Sequence, residues 1–163
     1  MALTSNIIGE IGENTAALRL SKYGIFKVYF LGDKAPIEDF LLEVIDDIHP
    51  YHCMIQVKAT SQVDKYAPDG SMKTPVNAEK LKELTKRPLP TYVAGVDIDD
   101  EIIFIAPAFD GNIRYNTIPP KLRIDNTNPG RSKADLVKLK EDIINYWECI
   151  DINKCKQSYQ SLL

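Results

Sequence analysis

The first part of the chain carries apolar residues at helical spacing. From about Ser5 to Tyr23 this spacing predicts a helix, and Gly24 suits the left-handed position that often follows a helix end. Glu13 stands at the head of an apolar stripe on this helix. The other members of the stripe are Ala16, Ala17 and Leu20. We therefore expect the Glu13 carboxylate to be partly shielded from water.

The same helix has a second apolar face. Its members are Ile7, Ile11 and Leu18. Two apolar faces predict that the helix is covered on two sides.

Five further segments are rich in aromatic and β-branched residues, which favour strands. They are Phe26–Leu31, Phe40–Ile45, Cys53–Ala59, Thr91–Asp97 and Glu101–Ala106. A short polar segment separates the second from the third, and an acidic turn separates the last two. Both pairs are therefore predicted to be hairpins.

Two or three more helices are expected in the second half of the chain. They are Asn77–Lys86, a helix from Ser132 to about Ile150, and a short final helix over Asn153–Ser161. Asn77 and Ser132 are residue types that cap helix N-termini. The stretches Thr60–Pro75 and Pro107–Arg131 lack periodicity and are expected to be irregular. Helices around a mixed sheet of about five strands predict the α/β fold class.

The composition is that of a globular protein, with 44% hydrophobic residues and a formal net charge of −3. A length of 163 residues suits one domain. We expect it to span residues 1–163, with a helical extension over about 132–163. No run approaches the roughly 18 apolar residues that a membrane helix needs. The N-terminus also lacks the basic start and apolar run of a signal peptide, so we expect a cytoplasmic location and no membrane partner.

The chain has three cysteines, Cys53, Cys149 and Cys155. They form no CxxC pair, and their odd number argues against a disulfide framework. We expect buried or partly buried thiols in a reducing compartment.

Two of the predicted strands bring unusual polar residues to one surface. Because side chains alternate along a strand, Asp39 shares a side with Leu41, and Gln56 shares a side with Lys58. If the hairpin register places those sides together, an acid, an amide oxygen and an ammonium group converge. A lysine within the apolar third strand lowers stability unless it has a partner. The arrangement therefore predicts a chemically active site.

These residues resemble the PD-(D/E)xK nuclease superfamily. The chain looks most similar to small bacterial proteins of unknown function whose domain opens with a Gly-Glu helix and carries a Gln-x-Lys strand. The matching segments are Gly12-Glu13 with Ala16 and Leu20, Ile37-Glu38-Asp39-Phe40, Gln56-Val57-Lys58, and Leu89 to Asp97. In their order and spacing these motifs are moderately specific together. The resemblance implies a restriction-endonuclease-like core.

The resemblance also implies a metal-dependent endonuclease that hydrolyses DNA phosphodiester bonds, in DNA processing or in defence against foreign DNA. Asp39 would bind Mg²⁺ (or Mn²⁺) directly, Gln56 would add its amide oxygen, and the Val57 carbonyl would complete the inner shell. Lys58 would position or activate the attacking water and stabilise charge on the phosphate. Glu13 would support the metal or bind a water in its shell. Oxygen ligands of this kind suit Mg²⁺, which needs few carboxylates because it keeps several waters.

Two departures from the family pattern keep other functions open. Glu38 precedes Asp39 where the motif has proline, which is common in the superfamily. Gln56 stands where the family has Glu or Asp, or in some branches Gln, and it removes one negative charge from the metal site. The second departure should weaken metal affinity. It favours an alternative, a catalytically inactive nuclease-fold module that binds nucleic acid or a protein partner. A third hypothesis is an assembly or regulatory protein, in which Asp39 starts a strand, Lys58 lies on an edge strand and Glu13 lies on a helix surface.

The net charge gives no general indication of nucleic-acid binding, but a local basic cluster can bind DNA. The candidate clusters are Lys80, Lys82, Lys86 and Arg87, and then Lys121, Arg123, Arg131 and Lys133. Most such clusters are simply solvated surface charges. The resemblance implies DNA as the partner. It leaves a homodimer, and a protein that supplies specificity, as further options.

Overall fold

The computed structural model describes residues 2–32, 35, 37–46, 51–74, 76–108 and 117–150. Within these ranges the chain forms three helices and eight strands. The helices are α1 (Ser5–Ser21), α2 (Ala78–Thr85) and α3 (Pro129–Glu148). The strands are β1 (Phe26–Phe30), β2 (Phe40–Val44), β3 (His52–Thr60), β4 (Met72–Lys73), β5 (Thr91–Asp97), β6 (Ile102–Pro107), β7 (Thr117–Ile118) and β8 (Leu122–Ile124). None of the helices in these ranges is both long enough and apolar enough to cross a bilayer.

Six of the strands form one mixed sheet in the order β1–β2–β3–β5–β6–β8, and β4 pairs separately with β7. β3 and β5 run parallel, whereas the other four pairs in this sheet are antiparallel. A parallel pair needs a long crossover connection, and here the crossover contains β4 and α2. The predicted α/β class and mixed sheet are confirmed, with six strands rather than about five.

The large sheet is covered on both faces, so its strands point alternate residues into two different cores. On one face it packs against α1 and α3, around Leu20, Phe40, Ile55, Tyr92 and Leu139. On the other face it packs against α2 and the β4–β7 pair, around Met72, Leu84, Val93, Phe104 and Ile118. The fold therefore has three layers: α1 with α3, the large sheet, and α2 with the β4–β7 pair.

Two of the predicted helix signals are confirmed by the backbone. Gly24 has φ +68° and lies just after α1. Asn77 is the N-cap of α2, and its side chain accepts hydrogen bonds from the N–H groups of Glu79 and Lys80. These residues end and begin their helices as their chemistry favours.

The start of α3 differs from the prediction. Asn128 is its N-cap and accepts a hydrogen bond from the Arg131 N–H at 3.1 Å. The predicted cap, Ser132, lies inside the helix, where its buried hydroxyl bonds to the backbone of Asp125. Both residues are good caps by type, and the helix begins at the earlier one.

The two stretches expected to be irregular contain the short strands β4, β7 and β8. Met72 of β4 pairs with Ile118 of β7, and β8 pairs with β6. Strands of two or three residues are too short to produce a period-two pattern. The final helix predicted over Asn153–Ser161 lies outside the described residues, as does Cys155.

The prediction that α1 is covered on two sides is wrong. Ile7, Ile11 and Leu18 are all exposed, Leu18 by 64%. α1 packs against the sheet through its other face, which carries Ala16 and Leu20. Cys53 is buried as expected, but Cys149 is exposed.

Candidate active site

The sheet has a gap where β2 leaves β3. Their pairing begins with Phe40 opposite Ile55, whereas β3 continues beside β5 as far as Thr60. Beyond Ile55, the described residues therefore give β3 a strand partner on its β5 side alone. The next residue back from β2, Asp39, still donates its N–H to the Ile55 carbonyl at 2.9 Å. Its carboxylate oxygen Oδ2 then accepts the Val57 N–H at 2.6 Å, in the place of a strand carbonyl.

This gap forms part of a cleft of about 400 Å³. The cleft is lined by residues from α1, β3, α2 and the segment before β2. All five residues proposed from the sequence are among them: Glu13, Asp39, Gln56, Val57 and Lys58. The structure therefore brings together the whole predicted catalytic and metal-ligand set. Lys80 of α2 also lines the cleft, a position that sequence reasoning missed because it had placed this lysine in a surface cluster.

Glu13 reaches the cleft because α1 lies unusually close to β3. A Cβ on Gly12 would collide with the Cβ of Ala59, so no side chain separates the helix from the strand at this point. The following residue, Glu13, is half-buried at the cleft wall. Glu13 is thus a partly buried residue, as its place on the apolar stripe predicts.

Asp39 is a partly buried carboxylate with opposing influences on its charge. Burial raises the pKa of Asp39 above its ordinary value, while the hydrogen bond from Val57 and the nearby Lys58 ammonium act to lower it. The net effect is an upward shift of the pKa. A carboxylate that pays for desolvation in this way gains from any cation that enters the cleft.

The pKa of Lys58 is shifted in the opposite direction from that of Asp39. Burial lowers the pKa of the Lys58 ammonium, and the positive charge of Lys80 lowers it further. The carboxylates of Asp39 and Glu13 act in the opposite direction without cancelling the shift. The cleft therefore holds two carboxylates and two amines within electrostatic reach of one another.

Gln56 carries the least satisfied polar group of the cleft. Its side chain is 2% exposed, and Oε1 has no hydrogen-bond partner among the described residues. A buried acceptor without a donor costs about 1–3 kcal/mol. A cation or donor that enters the cleft could satisfy this oxygen.

The donor set fits a hard divalent cation. No group of three or more His, Cys, Asp and Glu side chains in the described ranges is placed to hold a metal ion. The residues that line the cleft offer a different set, made of the Asp39 and Glu13 carboxylates and the side-chain oxygen of Gln56. Mg²⁺ and Mn²⁺ accept all-oxygen sites, and Mg²⁺ keeps several waters, so a small number of protein ligands is sufficient.

Arg87 does not project as a free DNA-binding cation. Its guanidinium pairs with the buried carboxylate of Glu38, the residue directly before Asp39. Burial acts to raise the pKa of Glu38, but the hydrogen bond and charge of Arg87, together with backbone hydrogen bonds, outweigh it and hold the pKa below its ordinary value. This ion pair links the end of α2 to the segment that presents Asp39.

The other residues proposed for DNA contact do not line the cleft. Two of them are already paired with carboxylates, Lys86 with Glu83 at 2.8 Å and Arg123 with Asp125 at 2.7 Å. The exposed members are Lys82, Lys86, Lys121, Arg131 and Lys133. Because α2 and α3 lie on opposite faces of the sheet, Lys82 and Lys86 belong to a different layer from Arg131 and Lys133.

One solved structure with a similar fold is that of a bacterial homing endonuclease, I-Ssp6803I. The two share 16% sequence identity and superpose with a TM-score of 0.50, over 87% of this chain and 97% of the endonuclease chain. No protein-family model matches this sequence, and no curated protein matches it significantly. At this level of identity the likeness shows a nuclease-like fold.

Proposed function

We propose that this chain is a divalent-metal-dependent endonuclease of the PD-(D/E)xK type that hydrolyses DNA phosphodiester bonds in the cleft. The observation that carries the proposal is the meeting of Asp39, Gln56 and Lys58 with Glu13 where β2 leaves β3. These residues come from three separate segments of the chain, and each brings a group that phosphodiester hydrolysis needs. The nuclease-like fold supports the same function, as an argument from analogy.

In the proposed reaction, Asp39, Gln56 and the Val57 carbonyl would hold Mg²⁺ or Mn²⁺, with Glu13 supporting the site. Such an ion, when bound, polarises the phosphate and lowers the pKa of a coordinated water. The Val57 N–H keeps the Asp39 carboxylate oriented. The half-buried Lys58 donates hydrogen bonds to the phosphate as negative charge develops, and partial exclusion of water strengthens that interaction. Glu13 orients the attacking water by accepting a hydrogen bond from it.

The test is cleavage of supercoiled, linear and branched DNA by the purified protein, with Mg²⁺ or Mn²⁺ and with a chelator. We expect nicking that depends on the metal and falls at least about 100-fold in Lys58→Met, because the transition state loses its nearby cation. Methionine retains most of the length and apolar stem of lysine, so the fold should survive. Equal cleavage by Lys58→Met would show that the site is elsewhere.

Gln56 favours one second candidate, a nuclease-fold module that binds nucleic acid or a protein without cutting DNA. A neutral ligand in place of a carboxylate weakens metal binding, and without metal the chemistry is lost. This candidate predicts DNA binding that is salt-sensitive and independent of Mg²⁺, with no cleavage. The variant Gln56→Glu separates the two: cleavage that appears only in the variant indicates an inactive module, and cleavage already present in the wild type excludes it.

A further inference from the structure

We infer that Lys80 is a substrate-binding residue that holds the phosphate next to the scissile one as the DNA strand enters the cleft. This inference rests on the proposed function and assigns a role to a residue outside the predicted catalytic set. Three features support it: Lys80 lines the cleft, it makes no ion pair with a described residue, and it adds a positive charge beside Lys58.

Lys80 is presented by a fixed part of the fold. It lies in the first turn of α2, where its N–H is bonded by the Asn77 cap at 3.3 Å. Val76 and Leu84, on either side, are buried in the second core. The backbone of Lys80 is thus held, while its exposed side chain can reach a ligand.

The position of Lys80 is at the rim of the cleft. Lys58 belongs to β3 and forms part of the floor, whereas Lys80 lines both the cleft and a neighbouring hollow of about 480 Å³ on α2. A DNA strand presents its phosphates in a row. A lysine on the floor and a lysine at the rim are therefore placed to bind successive phosphates of one strand.

The positive charges of Lys80 and Lys58 favour the binding of an anion at this end of the cleft. Some lysines are paired with carboxylates: Lys65 bonds to Asp97 at 2.6 Å, and Lys73 bonds to Asp64 at 2.7 Å. The Lys80 ammonium makes no ion pair with any residue that the structure describes. It is nevertheless close enough to disfavour the charge of Lys58. The carboxylates of Asp39 and Glu13 act against this repulsion, and a phosphate bound between the two ammonium groups would add to that favourable effect.

The experiment compares Lys80→Gln with the wild type in binding and in cleavage. Binding is measured with a fluorescent DNA duplex at several salt concentrations, in an Asp39→Asn background that does not cut the probe. We expect about five- to tenfold weaker binding and a plot of log K against log salt that is shallower by about 0.9, because one phosphate contact is lost. In cleavage by the otherwise unaltered enzyme, KM should rise while kcat stays within about twofold, as for a contact made equally in the ground and transition states.

Two matched variants complete the comparison. Lys80→Arg keeps the charge and should retain the wild-type salt dependence. Lys22→Gln removes the same charge near the far end of α1, nine residues beyond Glu13 or about 14 Å along the helix. It should leave KM and the salt dependence unchanged.

The outcomes separate this inference from the proposed function. If the wild type cuts DNA and Lys80→Gln matches it in KM and in salt dependence, the inference is wrong and the proposed function stands. A lower kcat at unchanged KM would also overturn it, since Lys80 would then act on the chemical step. A wild type that neither binds nor cuts any form of DNA would overturn both.

Discussion

Asp39 accepts a backbone hydrogen bond at the edge of β3 and also lines the cleft, so it has both a structural role and a proposed chemical role. Its Oδ2 accepts the Val57 N–H at 2.6 Å. In Asp39→Asn the amide oxygen can accept the same bond, whereas in Asp39→Ala a buried N–H is left without an acceptor. We expect Asp39→Ala to lower the free energy of unfolding by about 1–3 kcal/mol and Asp39→Asn to change it little. Both variants should lose cleavage.

Urea unfolding followed by circular dichroism, together with the DNA cleavage assay, checks this pair. If Asp39→Asn is stable and still cuts DNA, the carboxylate serves the strand edge and not the chemistry. That result would mean that Asp39 is not a metal ligand and that the groups which carry out the cleavage lie elsewhere.

The approach of α1 to β3 depends on the absence of a side chain at Gly12. A methyl group there would collide with Ala59, and overpacking of this kind costs typically about 1–3 kcal/mol. We expect Gly12→Ala to reduce stability by that amount and to reduce cleavage, because Glu13 moves with the helix. The helix propensity of alanine offsets at most about 1 kcal/mol of the loss.

Gly9 provides the control on the same helix. A Cβ there meets nothing within 4 Å, so Gly9→Ala should gain about 0.5–1 kcal/mol from the restricted unfolded chain. Urea unfolding of the two variants should therefore shift in opposite directions. Equal shifts would mean that the close packing at Gly12 does not limit the fold.

At the scale of residues, sequence reasoning found those members of the cleft whose position follows from a strand. Alternation places Gln56 and Lys58 on one side of β3, and the register of β2 then brings Asp39 beside them. Lys80 could not be placed in this way, because its distance from Lys58 depends on how the crossover returns α2 to the sheet. No local pattern records that path.

At the scale of elements, the buried carboxylate of Asp97 holds the crossover between β3 and β5 in place through hydrogen bonds. Asp97 is 0% exposed and accepts hydrogen bonds from Lys65 at 2.6 Å and from Tyr66 at 2.9 Å. Lys65 and Tyr66 lie in the stretch expected to be irregular, between β3 and β4. The sequence shows an acidic hairpin turn here, but only the folded chain brings the turn beside that stretch.

These hydrogen bonds to Asp97 predict a contribution to stability that is lost in acid. Burial acts to raise the pKa of Asp97, but the hydrogen bonds from Lys65, from the backbone and from Tyr66 outweigh it and hold the pKa below its ordinary value of 3.8. The unfolded chain therefore binds this proton more readily than the folded one does. The stabilisation is present above pH 3.8 and is lost as the pH falls through the lower folded value.

Urea unfolding from neutral pH to below pH 3.8 tests this prediction. Asp97→Asn should be less stable than the wild type at neutral pH and should lose less stability on acidification. Asp64→Asn is the control, because it also removes a carboxylate that pairs with a lysine but one that is exposed. An exposed pair contributes little, so this variant should keep the wild-type acid dependence. The same acid slope in Asp97→Asn as in the wild type would contradict the assignment.

At the scale of the whole molecule, the cleft joins segments that other contacts hold in different layers. Glu13 comes from the α1 layer, Gln56 and Lys58 from the sheet, and Lys80 from the α2 layer. The unfolded chain has no such cleft, so an ion would bind to the folded chain alone. It should therefore stabilise the whole fold by mass action.

We accordingly expect Mg²⁺ or Mn²⁺ to raise the Tm of the wild type, with about 2.7 kcal/mol of added stability at a concentration 100-fold above Kd. Asp39→Asn should show no such increase. Gln56→Glu should reach it at lower metal concentration, because a carboxylate replaces the neutral oxygen. Glu43→Gln removes a carboxylate near the far end of β2, where it bonds to Tyr29 at 2.8 Å, and should keep the wild-type response. An equal rise in Tm for Asp39→Asn and the wild type would put the ion outside the cleft. A rise seen only in Gln56→Glu would mean that Gln56 prevents metal binding in the wild type, which would then be a binding module and not a nuclease.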